Sequence, residues 1–203
     1  YLGASINLMP GDISEKLMKS ADLVYVEGYL YDAPEGPECW EKIGHLSKKY
    51  GTKIAISLSD SWCVDRHREK FKNFIKNFVE IVICNKEELL LMFDGSYESA
   101  IAQLRDIVDS GSITDGKNGA IAFSQNQIKK IEALNKNDIS DTTGAGDFYA
   151  AGYIFGELMT SNLDISLELG SMLAANAIKQ IGASPNANVV DEIFSKYPKF
   201  FVQ

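Results

Sequence analysis

The chain has 203 residues, of which 45% are apolar and 24% charged, and its 28 Asp and Glu outnumber 20 Lys and Arg to leave a formal net charge of −8. That is enough chain for one substantial core, so a single domain over 1–203 is the expectation, while the negative balance argues against nucleic acid or an anionic membrane as partner. No apolar run approaches the roughly 18 to 20 residues that span a bilayer, and no basic-then-apolar leader opens the chain, so a cytoplasmic protein is expected.

The sequence starts at "YLGASINL", without Met and in the manner of a strand and loop already under way, so N-terminal residues are expected to be missing. Short β-branched apolar runs follow at "DLVYVEG" (22–28), "KIAISLS" (53–59), "EIVICN" (80–85) and "GSIT" (111–114), as strands buried on both faces require. Between them lie helical patterns at 37–51, 63–78 and 97–111, the first and last closing on Gly51 and Gly111. This alternation implies a mostly parallel α/β sheet with right-handed crossovers. "AIAFS" (120–124) and "QIKKIEA" (127–133), separated by Gln125 and Asn126, read as a hairpin. The last third reads as helices over 145–159, 164–181 and 189–197, with 182–188 as a loop.

Cys39, Cys63 and Cys84 are odd in number and far apart, and His45 and His67 lack the H-E-x-x-H spacing, so a reducing compartment and no structural zinc are expected. Trp40 and Trp62 stand at the edges of helical patterns and read as packing residues. G-x-G-x-x-G after the first strand and G-x-x-x-x-G-K-[ST] are both absent, which excludes a dinucleotide-dependent oxidoreductase and a P-loop enzyme.

"DTTGAGD" (141–147) carries the chemistry. A helix beginning near Ala145 offers unpaired N–H groups and the positive end of its dipole, an anion site for which phosphate is the natural guest. Gly144, Ala145 and Gly146 leave that backbone unscreened. Asp147 in the first turn is placed to accept a proton from a hydroxyl attacking a phosphoryl group held by the same turn. The competing reading is that Asp141 caps the helix and Asp147 only complements its dipole.

These seven residues resemble the C-terminal signature of the PfkB/ribokinase family of sugar and nucleoside kinases. Three further segments follow the family's order. "NKEE" (85–88) is similar to N-x-x-E, which implies Asn85 and Glu88 as groups organising Mg²⁺ and its waters; read locally it is a capping box at a helix start. "TDGKNG" (114–119) is similar to T-x-G-x-x-G, which implies Thr114, Gly116 and Gly119 along ATP; read locally it is an Asp-Gly turn. "ANAIKQIGASPN" (175–186) resembles the helix and Gly-Ala loop flanking adenine. From it Gly182 is implied at the nucleotide, and backbone atoms of Asp141, Thr143, Ala177 and Gly182, with Asn186 nearby, at a monovalent cation such as K⁺; Ala177 reads equally as core.

"VEGYLYD" (26–32) and "SLSDSWCVDRHRE" (57–69) look like the adenosine-kinase-like bacterial members, and Arg66 and Arg68 stand either near a phosphate or on a solvated helix face. The resemblance implies a ribokinase-like three-layer α/β/α fold with a mostly parallel sheet and a hairpin, lacking the N-terminal Gly-Gly segment and the lid. It implies ATP- and Mg²⁺-dependent transfer of the γ-phosphoryl to a primary hydroxyl of a sugar or nucleoside, with a homodimer as a family option. Residues 1–203 alone are expected to be inactive, because the absent part carries most acceptor contacts; the alternative is a non-catalytic nucleotide-binding module.

Overall fold

The first unit holds β1 (Leu23–Glu27), β2 (Lys53–Ser57), β3 (Ile81–Asn85) and, but for its last residue, β4 (Ser110–Thr114), and in β2 the residues Ile54, Ala55 and Ile56 are wholly inaccessible, which an alternating amphipathic strand would not allow. The computed structural model describes residues 3–134, 139–183 and 188–200, arranged as two compact units, Tyr1–Ile113 and Thr114–Gln203.

In the first unit β1 pairs with β2 in parallel, Val26 against Ile56 and Glu27 against Ser57, and β2 pairs with β3 in parallel, Ala55 against Ile81. The Ser110 N–H donates to Glu80 O at 3.1 Å, bringing the start of β4 beside the start of β3. Helices α1 (Glu15–Ser20), α2 (Gly36–Tyr50), α3 (Ser61–Phe78), α4 (Lys86–Met92) and α5 (Tyr97–Arg105) fill the intervals. Gly51 ends α2 in the left-handed region at φ 74°, and Asp60 caps α3 by accepting the Cys63 N–H at 2.6 Å. Trp40 of α2 stacks on Phe71 of α3 with centroids 4.8 Å apart and lies against Phe74, each buried ring contributing about 1.5–3 kcal/mol.

In the second unit β5 (Ala120–Ser124) and β6 (Ile128–Ile131) form the expected antiparallel hairpin, Ala120 opposite Ile131 and Phe123 opposite Ile128. Helix α7 (Leu163–Ala177) packs on that hairpin and on α6 (Ala145–Thr160), and α8 (Asn188–Lys196) follows, with Lys196 paired to Glu168 of α7. Small residues let α6 and α7 approach closely: a Cβ on Gly152 would lie 2.5 Å from Leu169 O, and one on Gly156 2.6 Å from Ser166 Cα. This tight pair fixes where the N-terminus of α6 emerges.

Three expected boundaries move. The helix expected over 97–111 stops at Arg105, because the chain must be extended by Ser110 to reach Glu80, and Gly111 lies inside β4 instead of capping a helix. The helix expected to run to 181 stops at Ala177, where the Ile178 carbonyl turns to accept from Ser140 N–H at 2.8 Å. "YLGASINL" does not enter as a strand: Gly3–Asn7 form a 3₁₀ turn.

Candidate active site

The turn leading into α6 is built by Asp141. Its Oδ1 accepts the Thr143 N–H (2.9 Å) and Thr143 hydroxyl (2.7 Å), and its Oδ2 accepts the Gly182 N–H at 2.9 Å. The Gly182 amide foremost, then Thr143, holds the Asp141 carboxyl below the usual carboxylate range. Asp141 therefore clamps the loop at 182 to the turn and does not cap the helix. Gly144 is the N-cap residue, at φ 79°, and among the described residues no side chain caps α6. A Cβ at Gly144 would also meet Ala183 Cβ at 2.8 Å, so glycine is required there twice over.

The expected cradle is thereby narrowed. The Ala145 N–H is taken by Thr142 O at 3.1 Å, closing the turn, whereas the amides of Gly144, Gly146 and Asp147 meet no protein acceptor among the described residues. A Cβ at Gly146 would meet no described atom within 4 Å, so packing does not explain that glycine. Asp147 is exposed one residue further on.

Elsewhere in this unit, Gly116–Asn118 form a 3₁₀ turn closed by Asp115 N–H to Gly119 O at 2.8 Å and Gly119 N–H to Gly116 O at 3.1 Å. Gly119, at φ 90°, is a packing glycine: a Cβ would fall 2.0 Å from Ile131 O of β6. Gly116 (φ 49°) and Gly182 (φ 87°) face open space at their Cβ positions, and Thr114 is half-buried at the end of β4. Ala177 is buried in the core, and Asn186 lies outside the described residues.

In the first unit Asn85 and Glu88 form a complete capping box at α4. Asn85 Oδ1 accepts the Glu88 N–H (2.8 Å), while Glu88 accepts the Asn85 N–H (2.9 Å) and side-chain amide (2.7 Å). Glu88 is 4% exposed; burial first, then the charges of Asp60 and Glu87, push its carboxyl up to about 7 against the Asn85 N–H.

Sequence reasoning missed the neighbours of this carboxylate. Tyr29 lies in the field of Asp60, and its hydroxyl is pushed up to about 12, chiefly by burial. Ser59, at φ 73°, holds a left-handed backbone uncommon for a residue with a side chain, and its hydroxyl accepts the Tyr29 N–H at 3.2 Å. The available signal was position: both segments follow strand C-termini, where open α/β sheets gather ligands. Arg66 pairs with Asp32, and Arg68 with Asp94 at 2.8 Å and Met92 O at 3.0 Å, so both guanidinium groups are engaged in ion pairs. Trp40 is core, as its pattern implied, while Trp62 is 76% exposed.

An α/β chain with a hairpin, an uncapped glycine-lined helix N-terminus and an exposed carboxylate in that helix's first turn has the ribokinase-like fold. The profile of the pfkB family carbohydrate kinases matches residues 4–189, and the chain belongs to that family. It is similar to the 5-dehydro-2-deoxygluconokinase of Bacillus subtilis (strain 168), 24% identical over 198 residues, covering 94% of this chain and 61% of the relative. Among solved structures it is similar to a probable sugar kinase protein from Rhizobium etli CFN 42 (28% identity, TM-score 0.89, 97% of this chain and 59% of that one). The adenosine kinase from Sinorhizobium meliloti is equally similar (28% identity, TM-score 0.89, 94% of this chain and 59% of that one). The chain thus spans about 60% of the length of the relatives it matches.

Proposed function

We propose that this chain is the nucleotide-binding part of an ATP- and Mg²⁺-dependent kinase that transfers the γ-phosphoryl group to a primary hydroxyl of a sugar or an adenosine-like nucleoside. The observation that carries the reading is the α6 N-terminus, where open amides at Gly144, Gly146 and Asp147 stand beside the Asp147 carboxylate. The amides stabilise charge on the transferred phosphoryl group, and Asp147 accepts the proton of the attacking hydroxyl. Asp141 acts indirectly, by holding Thr143 and Gly182 in place.

Thr114, Gly116 and Gly182 border the nucleotide, and the open space beside the two glycines suits a ligand. Gly119 serves the hairpin. Asn85 and Glu88 fit a hydrated Mg²⁺, because Glu88 is a desolvated carboxylate beside the charge of Asp60, an arrangement a divalent cation relieves. When bound, Mg²⁺ neutralises charge on the nucleotide phosphates. Backbone atoms of Asp141, Thr143 and Gly182 remain the proposed place for K⁺.

The test is ADP release by the full-length gene product with Mg²⁺-ATP across adenosine, other nucleosides, ribose, fructose and 5-dehydro-2-deoxygluconate. Acceptor-dependent release, abolished in Asp147→Asn, is expected; release that Asp147→Asn leaves unchanged would overturn the assignment.

A further inference from the structure

Cys63 and His67 lie one turn apart on α3 and so share a face of the helix. Asp32, from the turn after β1, meets that face: its Oδ1 is 2.7 Å from His67 Nε2, and the Asp32 oxygen, Cys63 sulfur and His67 nitrogen all lie within 4.8 Å of one another. The H-E-x-x-H spacing does not describe this cluster, since two donors come from a C-x-x-x-H step and the third is about thirty residues earlier in the chain.

We propose that Asp32, Cys63 and His67 form a binding site for one borderline-soft divalent cation of the zinc type, a property separate from phosphoryl transfer. Sulfur, imidazole and carboxylate together match the donor preferences of Zn²⁺, and three protein ligands leave a fourth position for water. Bond lengths of roughly 2.0–2.3 Å place ligand atoms about 3.3–3.7 Å apart, so the cluster would admit an ion by side-chain movements of about 1 Å, Asp32 and His67 parting to make room.

The surroundings favour a cation. The His67 ring packs against Tyr31 (centroids 4.8 Å apart) and Phe71 (5.8 Å). Cys63 is buried, and its thiol donates to Gly28 O at 3.2 Å. The carboxylates of Asp32, Asp60 and Glu88 surround the sulfur with negative charge, with Arg66 opposing. A divalent ion reverses that crowding of negative charge and takes the place of the thiol proton, which leaves to solvent. Arg66 is the built-in competitor, because its guanidinium occupies Asp32.

The test is titration of the purified, metal-free chain with Zn²⁺ by calorimetry and with Co²⁺ by absorption, at fixed pH. One equivalent of each is expected to bind, with a thiolate-to-cobalt charge-transfer band in the near ultraviolet. Cys63→Ser should abolish the band, His67→Gln and Asp32→Asn should each weaken zinc by about 100-fold, and His45→Ala should change nothing. Arg66→Gln, which frees Asp32, should tighten binding, a gain that a misfolded variant cannot mimic. Absence of the cobalt band in the unmodified chain, its survival in Cys63→Ser, or weaker binding in Arg66→Gln would overturn the proposal.

Discussion

At the scale of single residues, two carboxylates of this chain are placed for opposite purposes. Asp147 is exposed at the head of α6, and Asp147→Asn should leave nucleotide affinity nearly intact while lowering kcat at least ~10²-fold, separable by ATP calorimetry and steady-state turnover of the full-length protein. Glu88 is buried, with its carboxyl raised to about 7 from an ordinary 4.5. Between those values the folded state holds a proton that the unfolded state has lost, so the contribution of Glu88 to stability is fully present below its unfolded value and is lost as pH rises through 7. The loss has a ceiling of about 3 kcal/mol. Urea unfolding at pH 5 and pH 8 should show the decline in the parent chain and a flatter profile in Glu88→Gln, with saturating Mg²⁺ restoring stability at pH 8 in the parent alone. Identical pH profiles in parent and variant would refute the buried-carboxylate assignment.

At the scale of elements, the glycines divide into those the fold demands and those it does not. Gly119→Ala puts a methyl into the β6 backbone at a left-handed position and should cost at least about 2 kcal/mol by chemical denaturation. Gly146→Ala meets open space in the first turn of a helix and should stabilise the chain by about 0.5–1 kcal/mol. The same change should depress phosphoryl transfer, because the added methyl screens the amides. A Gly146→Ala variant that is both more stable and fully active would remove the anion-cradle role from this turn. The contrast was not legible in the motifs, where Gly119 and Gly146 look alike. Only the Ile131 carbonyl beside one and the empty space beside the other separate them.

At the scale of the whole molecule, Mg²⁺-ATP should stabilise the 203-residue chain by mass action alone, by about 2.7 kcal/mol at a hundredfold excess over its Kd, read as a rise in Tm. No rise at saturating nucleotide would count against the nucleotide-binding assignment; a rise without acceptor turnover fits a chain about 60% as long as its relatives. Strand and helix order, the β5–β6 hairpin and the seven-residue turn were readable from local pattern, because burial on both faces, helical periodicity and glycine punctuation are written in neighbouring residues. So was the capping box, which needs only Asn85 and a carboxylate three positions later. Tertiary structure decided what depends on residues far apart in the chain. Asp141 proved to be a clamp because the Gly182 amide comes to it, Ala145 lost its amide to the turn, and Glu88 acquired its raised carboxyl from burial and Asp60. Asp32 met Cys63 and His67 only because β1 and β2 run parallel, which carries the segments that follow them to the same end of the sheet. Periodicity reports which face of an element is apolar; the partner that face or turn will meet is a property of the folded chain.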